Sequence, residues 1–267
     1  MNRLKSRPDV DVQVETRGQV PRNAARYAQD KTLTVIEHVG EPVLAAQVKL
    51  SLAANPAAAR PAHAQAVVNL NGRPVRAHVA ADSLFEAVDL LRDRLAARLA
   101  RARGHRQDRH HGTAESRSRT AGDGAGQHHR PVRHHVVPED RRIVRRKSFG
   151  LPRQPVHDAV VDLDLLDYDF YLFTDAVSGQ DSIVYRDEDG HHRMASASGQ
   201  DGRLVEPEGA GTGPGTVPVP EIGVTDAVAR LELAGLPFVF FTDRTTGRGS
   251  VVYHRFDGHY GLIVPAA

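Results

Sequence analysis

The residues best placed to do chemistry are arginines repeated at helical spacing. Arg94, Arg98 and Arg101 stand at i, i+4 and i+7, so they would share one face of a helix beside a leucine stripe. Guanidinium groups held on a fixed helix can each bind two phosphate oxygens. The spacing is therefore typical of a surface for a nucleic-acid backbone, although an ordinary solvated helix face gives the same pattern.

A second group of cations surrounds an earlier predicted helix, where Arg22 and Arg26 are also four residues apart. If the two helices pack side by side, their cations would form one ridge of positive charge. The candidate RNA-binding residues are Arg17, Arg22, Arg26, Lys31, Arg94, Arg98 and Arg101.

The formal net charge of +2 conceals an uneven distribution. Residues 1–91 carry 11 basic and 9 acidic side chains, residues 92–147 carry 16 and 6, and residues 148–267 carry 8 and 18. A strongly basic middle indicates a polyanionic partner, and an acidic end would be repelled by one. The small net charge therefore does not argue against binding to nucleic acid.

The arginine stripes belong to a predicted N-terminal RNA-binding domain at residues 8–103. Apolar and polar residues alternate in four segments, which predicts strands, and two longer segments have helical periodicity. The order is β-α-β-β-β-α, with Asn71-Gly72 as a hairpin turn and Pro74 favouring an edge strand. Two helices on one face of a four-stranded sheet resemble double-stranded-RNA-binding modules, and we expect the first two strands to be parallel.

Residues 104–140 predict a flexible, disordered basic linker. They contain almost no large apolar residues and hold seven of the 15 histidines. The histidine pairs lack the spacing of a metal site, and Gly122–Gly126 lacks the context of a phosphate loop. We therefore predict neither a metal nor a cofactor here.

The C-terminal half is an internal repeat with an offset of 68 residues. Residues 156–191 and 224–259 align without a gap, and 17 of the 36 pairs are identical. We predict a first repeat at 141–195, a Gly/Pro-rich connector at 196–220 and a second repeat at 221–265. Ile143–Lys147 is predicted to be a leading strand of the first repeat, and the second repeat has no counterpart.

Each repeat is too small to bury much core and would leave strand edges open. The connector holds the second copy at high effective concentration, so we expect the repeats to pair within one chain as an intramolecular pseudo-dimer. The matched residues predicted to form the pairing core are Phe170, Phe173, Val184, Tyr185, Phe238, Phe241, Val252 and Tyr253.

Several function classes are disfavoured by composition. The chain has no cysteine, which excludes disulfides, thiolate metal sites and a cysteine nucleophile. No catalytic motif is apparent, and the carboxylates of residues 162–169 are read as solvating a helix end, so we predict no catalytic residue and no enzyme. No apolar run is long enough for a membrane span, and no secretory signal is apparent, which together predict a cytoplasmic protein.

The sequence resembles the long form of the bacterial ribosome hibernation promoting factors. The residues that carry this resemblance are mainly those of Phe238–Ile263, including Gly247, Val252-Tyr253 and Asp257-Gly258, with a weaker copy at Phe170–Met194. The N-terminal element order and the run Asp82–Asp89 are also similar to that family. Two C-terminal repeats are a variant found in actinobacterial dormancy-associated members.

The resemblance implies partners and a mode of action. Its N-terminal domain would bind the 30S subunit and 16S rRNA where mRNA and the A- and P-site tRNAs lie, and would silence the 70S ribosome. In this last helix Ala97 replaces an expected cation. Because the family's C-terminal domain normally joins two chains, two repeats that pair with each other imply a monomer acting on single ribosomes. A general regulator that binds structured RNA elsewhere, or a pure dimerisation scaffold, remains open at this point.

Overall fold

The computed structural model describes residues 10–53, 60–111, 136–187, 190–197, 203–204 and 219–266. The chain divides into two compact units. The first comprises Met1–Val132 together with the short segment Leu165–Asp167, and the second comprises Arg133–Asp164 and Tyr168–Ala267.

The first unit has the predicted β-α-β-β-β-α order. Its elements are β1 (Val12–Arg17), α1 (Arg22–Glu37), β2 (Val43–Leu52), β3 (Ala62–Leu70), β4 (Arg73–Ala81) and α2 (Leu84–His111). The sheet order is β1-β2-β3-β4, with β1 and β2 parallel and the other pairs antiparallel. The four-stranded α+β fold expected from the sequence is confirmed.

Alternation and turn chemistry explain this unit. One face of the sheet buries residues such as Val48, Leu50 and Val68, and the leucine stripe of α2 is buried as well. The β3–β4 hairpin turns at Asn71 and Gly72, whose φ angles of 52° and 90° are both positive. β4 is an edge strand, as Pro74 favours.

The last helix of this unit is longer than the sequence predicts. α2 continues to His111, eight residues beyond the expected end of the domain, because no proline interrupts residues 104–111 and most of them are compatible with a helix. The rest of the predicted linker up to residue 135 lies outside the described residues, and so do most of its histidines.

The second unit contains both repeats, apart from residues Leu165–Asp167 of repeat 1. Repeat 1 has β6 (Arg153–Gln154), α3 (Val156–Leu165), β7 (Phe170–Asp175), β8 (Asp181–Arg186), β9 (His192–Ser196) and β10 (Arg203–Leu204). Repeat 2 has β11 (Glu221–Ile222), α4 (Val224–Leu233), β12 (Phe238–Asp243), β13 (Gly249–His254) and β14 (Tyr260–Pro265). Ahead of both lie a 3₁₀ turn (Pro138–Asp140) and β5 (Ile143–Phe149).

The leading strand does not join the repeat that follows it. β5 pairs in parallel with β14, so the second sheet has the order β11-β12-β13-β14-β5. The sequence prediction that this strand belongs to repeat 1 is wrong in its pairing, because alternation identifies a strand without identifying its partner. Arg141 reinforces the crossover through its ion pair with Glu232, at 2.6 Å.

Among its described residues, the second unit has three apolar core clusters. One lies beneath α3 in repeat 1, and an equivalent one lies beneath α4 in repeat 2. The third, which we call the shared cluster, combines Leu172 and Ile183 of repeat 1 with Phe240, Val251 and Ile263 of repeat 2. The predicted pairing of the two repeats within one chain is thereby confirmed.

The end of α3 carries a stabilising acidic group, Asp164. Its carboxylate forms an ion pair with Arg186, and its Oδ1 lies 3.0 Å from Nε2 of His192. Burial alone would raise the pKa of Asp164, but the hydrogen bond with His192 and the charge of Arg186 lower it to about 2.

We expect the Asp164 contacts to make the second unit sensitive to acid. Because the folded-state pKa lies below the unfolded value of about 3.9, the stabilisation is complete above that pH and is lost as the pH falls towards about 2. Asp164→Asn should lower the free energy of unfolding by about 2 kcal/mol at pH 7 and by much less at the acid end. Urea unfolding of both proteins across this pH range measures the difference, and a constant difference would contradict the assignment.

Candidate nucleic-acid cleft and repeat interface

One flank of α2 is occupied by contacts with α1. The Tyr27 hydroxyl donates a hydrogen bond of 2.9 Å to Asp89, and the Tyr27 ring packs edge-on against Phe85 at 5.4 Å. Lys31 lies 3.3 Å from the same carboxylate. These contacts lock the two helices together, and they engage Lys31 in an ion pair that the sequence did not predict.

The other flank of α2 carries the arginine stripe towards the edge strand β4. Arg94 and Arg98 both donate to Oδ1 of Asp167, Arg94 at 2.9 Å, within the first compact unit. The second carboxylate oxygen accepts the backbone N–H of His78 at 3.2 Å and lies 3.0 Å from Nδ1 of the same residue. We call this arrangement of Arg94, Arg98 and His78 around one carboxylate the arginine cleft.

The electrostatics of the arginine cleft favour an anion strongly. The Asp167 carboxylate is fully buried, and the side chains of Arg94 and Arg98 are 8% and 7% exposed. Burial alone would raise the pKa of Asp167, but the His78 hydrogen bond and the charges of Arg98 and Arg94 hold it far below its usual range. Two guanidinium groups, an imidazole and a backbone N–H are also donors that suit a phosphate oxygen.

The structure does not gather the seven predicted cations into one ridge. Successive residues of a helix are 100° apart, so Arg94 and Arg98 lie almost opposite Asp89, the residue that faces α1. Side-by-side packing of α1 and α2 therefore separates the two groups of cations instead of joining them. Four candidates are exposed: Arg17, Arg22, Arg26 and Arg101.

Sequence reasoning missed the role of Asp167. The sequence predicts that Asp167, like the neighbouring carboxylates, solvates a helix end, whereas Asp167 is the anion held in the arginine cleft. Nothing in its spacing distinguishes it from Asp162 or Asp164. Its backbone conformation does differ, because Asp167 has a positive φ of 53° just after the end of α3, in the left-handed region that aspartate adopts more readily than most residues and in which helices often end.

The repeat interface has the reciprocal contacts of a twofold pairing. Phe170 packs against its equivalent Phe238, with ring centroids 4.8 Å apart and ring planes tilted by 43°. Phe170 also contacts Tyr253 at 5.6 Å, and Phe238 contacts Tyr185, the equivalent of Tyr253, at 5.4 Å. Because residue pairs recur with the repeats exchanged, a pseudo-twofold axis relates the two.

Half of the predicted pairing core lies elsewhere. Phe173 and Val184 are buried in the cluster beneath α3, and Phe241 and Val252 in the cluster beneath α4. Successive strand residues point to opposite faces, so Phe170 and Phe173, three residues apart, cannot share one. Of the eight predicted residues, those that pack against the shared cluster are Phe170, Tyr185, Phe238 and Tyr253.

No helix in the described ranges is long and apolar enough to cross a bilayer. In the same ranges, no group of three or more histidine or acidic side chains is arranged to hold a metal ion.

Comparison with known proteins finds matches to the repeated C-terminal part of the chain and to curated relatives. A family model described as "Sigma 54 modulation/S30EA ribosomal protein C terminus" matches twice, at residues 138–194 and 215–262. A "Dormancy associated translation inhibitor" of Mycobacterium tuberculosis is 39% identical over 130 residues, which cover 45% of this chain and 46% of the relative. A "Ribosome hibernation promotion factor" of the same species is 38% identical over 89 residues, covering 31% of this chain and 38% of that protein.

Among solved structures, the N-terminal domain of Thermus thermophilus Protein Y is 25% identical in sequence. The match covers 34% of this chain and 94% of the Protein Y chain, with a TM-score of 0.29. The chain matches about half the length, or less, of these curated relatives. The family matches confirm the resemblance to long-form ribosome hibernation promoting factors with two C-terminal repeats.

The pairing contacts predict energetic coupling between the repeats. Phe170→Leu and Phe238→Leu should each destabilise the chain, and the double variant should lose about 0.5–1.5 kcal/mol less than the sum, because one aromatic contact is removed twice. Phe173→Leu with Phe241→Leu is the matched control, because these residues lie in separate clusters. Denaturant unfolding should give additive losses for the control pair, and additivity for Phe170 with Phe238 would contradict the interface.

Proposed function

We propose that this chain, a two-repeat relative of the long-form hibernation promoting factors, binds the small ribosomal subunit at the mRNA and A- and P-site tRNA region and inhibits translation. It would stabilise inactive 70S ribosomes in dormancy or stress. Two relatives carry the names "Dormancy associated translation inhibitor" and "Ribosome hibernation promotion factor", and both describe regulators of translation or ribosomes. We accordingly propose binding without catalysis, in the cytoplasm where ribosomes are found.

The observation that carries this proposal is the arginine cleft. Arg94 and Arg98 project from consecutive turns of α2 and converge with the His78 backbone N–H on a single oxyanion. A phosphate of 16S rRNA presents the same kind of oxygen to the same donors, and a rigid helix next to a sheet edge fixes their geometry before binding. The exposed cations at and near the start of α1, Arg17, Arg22 and Arg26, would add contacts farther along the RNA backbone.

Asp167 competes with RNA in this scheme. A phosphate can enter the arginine cleft only when the Asp167 carboxylate leaves it, because Arg94 and Arg98 both donate to the same carboxylate oxygen. The free energy of RNA binding is then reduced by the free energy of the internal contact.

The second unit supports action on single ribosomes. The faces of the repeats that carry Phe170 and Phe238 are buried against each other within one chain, so they are not available for pairing between chains. We therefore propose that the protein is a monomer that silences individual 70S particles.

Removal of the two arginines tests the RNA surface. Arg94→Gln with Arg98→Gln should weaken binding to 70S ribosomes at least tenfold and reduce the dependence of log affinity on log salt by about two, because two phosphate contacts are lost. Adding Asp167→Asn leaves the cleft without buried charge, so this triple variant separates loss of binding from loss of folding. Arg92→Gln is the matched control, because Arg92 pairs with Asp93 on the same helix outside the cleft.

Sedimentation with ribosomes at several salt concentrations, together with footprinting of 16S rRNA, provides the measurement. Protection at the mRNA and tRNA sites, lost in the triple variant and kept in Arg92→Gln, supports the proposal. Protection of other RNA in place of these sites would indicate the general RNA-binding regulator, and unchanged binding by a folded triple variant would rule out the arginine cleft.

Neutralising Asp167 alone should have opposite effects on stability and on binding. Asp167→Asn keeps the size of the side chain and tolerates a positive φ, but it weakens the ion pairs with Arg94 and Arg98. The thermal midpoint should therefore fall, while affinity for ribosomes rises about 3- to 10-fold because the internal competitor is weaker. Affinity that falls together with the midpoint would show that Asp167 only organises the cleft.

A further inference from the structure

The repeat interface is not symmetric where the two repeats come closest. Residues 68 apart occupy equivalent positions, and three equivalent pairs near the pseudo-twofold axis differ in kind. Repeat 1 has Leu172, Gln180 and Asp181 where repeat 2 has Phe240, Arg248 and Gly249. These six residues combine a difference in charge with a difference in volume.

The charged pair joins the two repeats directly. Asp181 is only 7% exposed. Arg248 contacts both of its oxygens, with Nε 2.7 Å from Oδ2 and Nη2 3.2 Å from Oδ1. The backbone N–H of Gly249 donates a third hydrogen bond, of 3.0 Å, to Oδ2. One buried carboxylate of repeat 1 is thus satisfied by donors of repeat 2.

The difference in volume lies at Gly249, the residue of repeat 2 that is equivalent to Asp181. A Cβ atom on Gly249 would lie 2.7 Å from the Cβ of Asp181 and 2.9 Å from Cζ of Phe240. The φ angle of Gly249 is not in the left-handed region, so glycine is required here by the close approach of repeat 1 and not by backbone conformation. The larger Phe240 ring uses the space that a side chain at position 249 would need.

Neither repeat is therefore complementary to a copy of itself. Two first repeats would place one Asp181 against another across the axis, with Gln180 in place of a cation, so two buried carboxylates would overlap and repel. Two second repeats would leave both Arg248 guanidinium groups without the carboxylate and would open a space where the Asp181 side chain lies.

We propose that the pairing surface is heterotypic: Asp181 of a first repeat fits against Arg248 and Gly249 of a second repeat, and these residues select the other kind of repeat over a copy of the same kind. The consequence is specificity by exclusion of the homotypic pairs as well as by attraction within the correct one. Pairing between chains would satisfy the rule only where the first repeat of one chain replaces the first repeat of another chain against that chain's second repeat.

Four full-length proteins test this rule as a thermodynamic cycle. The wild type is compared with a chain that carries first-repeat residues on both sides (F240L/R248Q/G249D), a chain with second-repeat residues on both sides (L172F/Q180R/D181G), and the exchange variant with all six substitutions. The rule predicts that both homotypic chains lose thermal stability, by about 5 °C or more, and that the exchange variant regains most of the loss. Circular dichroism measures the midpoints, and light scattering measures the mass.

The result expected is a midpoint for the exchange variant above both homotypic chains, with the mass of one chain for the wild type and the exchange variant. The proposal is overturned if the loss in the exchange variant equals the sum of the two homotypic losses, because the positions would then act independently. It is also overturned if the first homotypic chain keeps the wild-type midpoint at the mass of one chain, because facing Asp residues would then be tolerated. Ribosome binding enters neither readout, so the function proposed above can fail or hold separately.

Discussion

Each repeat has a sheet with two apolar faces but only one helix, which can cover only one of them. The arrangement of the second unit depends on how the other face is buried. α3 and α4 bury one face of each sheet, with Phe173 or Phe241 at the centre of the contact. The remaining faces are buried only by packing against each other in the shared cluster. Because this burial is worth roughly 25 cal/mol per Å² of apolar surface, a single repeat of this size could not expose that face and remain stable. Pairing is thus a condition of folding for each repeat.

Local patterns predicted the elements and the order of the first unit well. The alternation of Val, Ala and Leu identified the strands, and Asn71-Gly72 identified the hairpin, because both signals depend on residues close in sequence. The pairing of β5 with β14 was not predictable in this way, because the composition of a strand does not identify a pairing partner that is distant in sequence. The same limit explains why the sequence placed Phe170 and Phe173 together, although the strand turns them to opposite faces.

The position of Arg94 and Arg98 on α2 was predictable from the sequence, whereas the groups that surround them were not. Helical spacing correctly put Arg94 and Arg98 on one face of α2. It gave no information on which flank α1 would cover, and the contact of Tyr27 with Asp89 determines that. Nor could spacing reveal Asp167, whose distinction is three-dimensional: a carboxylate from a distant segment meets the two guanidinium groups. The basic and acidic side chains whose charges nearly cancel in the overall composition therefore form ion pairs at specific sites, and the arginine cleft is one of these sites.

The crossover of β5 also governs the order in which the second unit can be built. β5 emerges from synthesis before either repeat, yet its hydrogen-bonding partner β14 is the last described strand, so the second sheet cannot close until nearly all of the unit exists. Pairing over such a separation has a high contact order, which slows folding and leaves the edge of β5 exposed in the interval. The three consecutive cations at residues 145–147 are suited to that interval, because charged edge strands resist pairing with the wrong chain. The strand that completes the unit is thus also the one that must stay unattached longest.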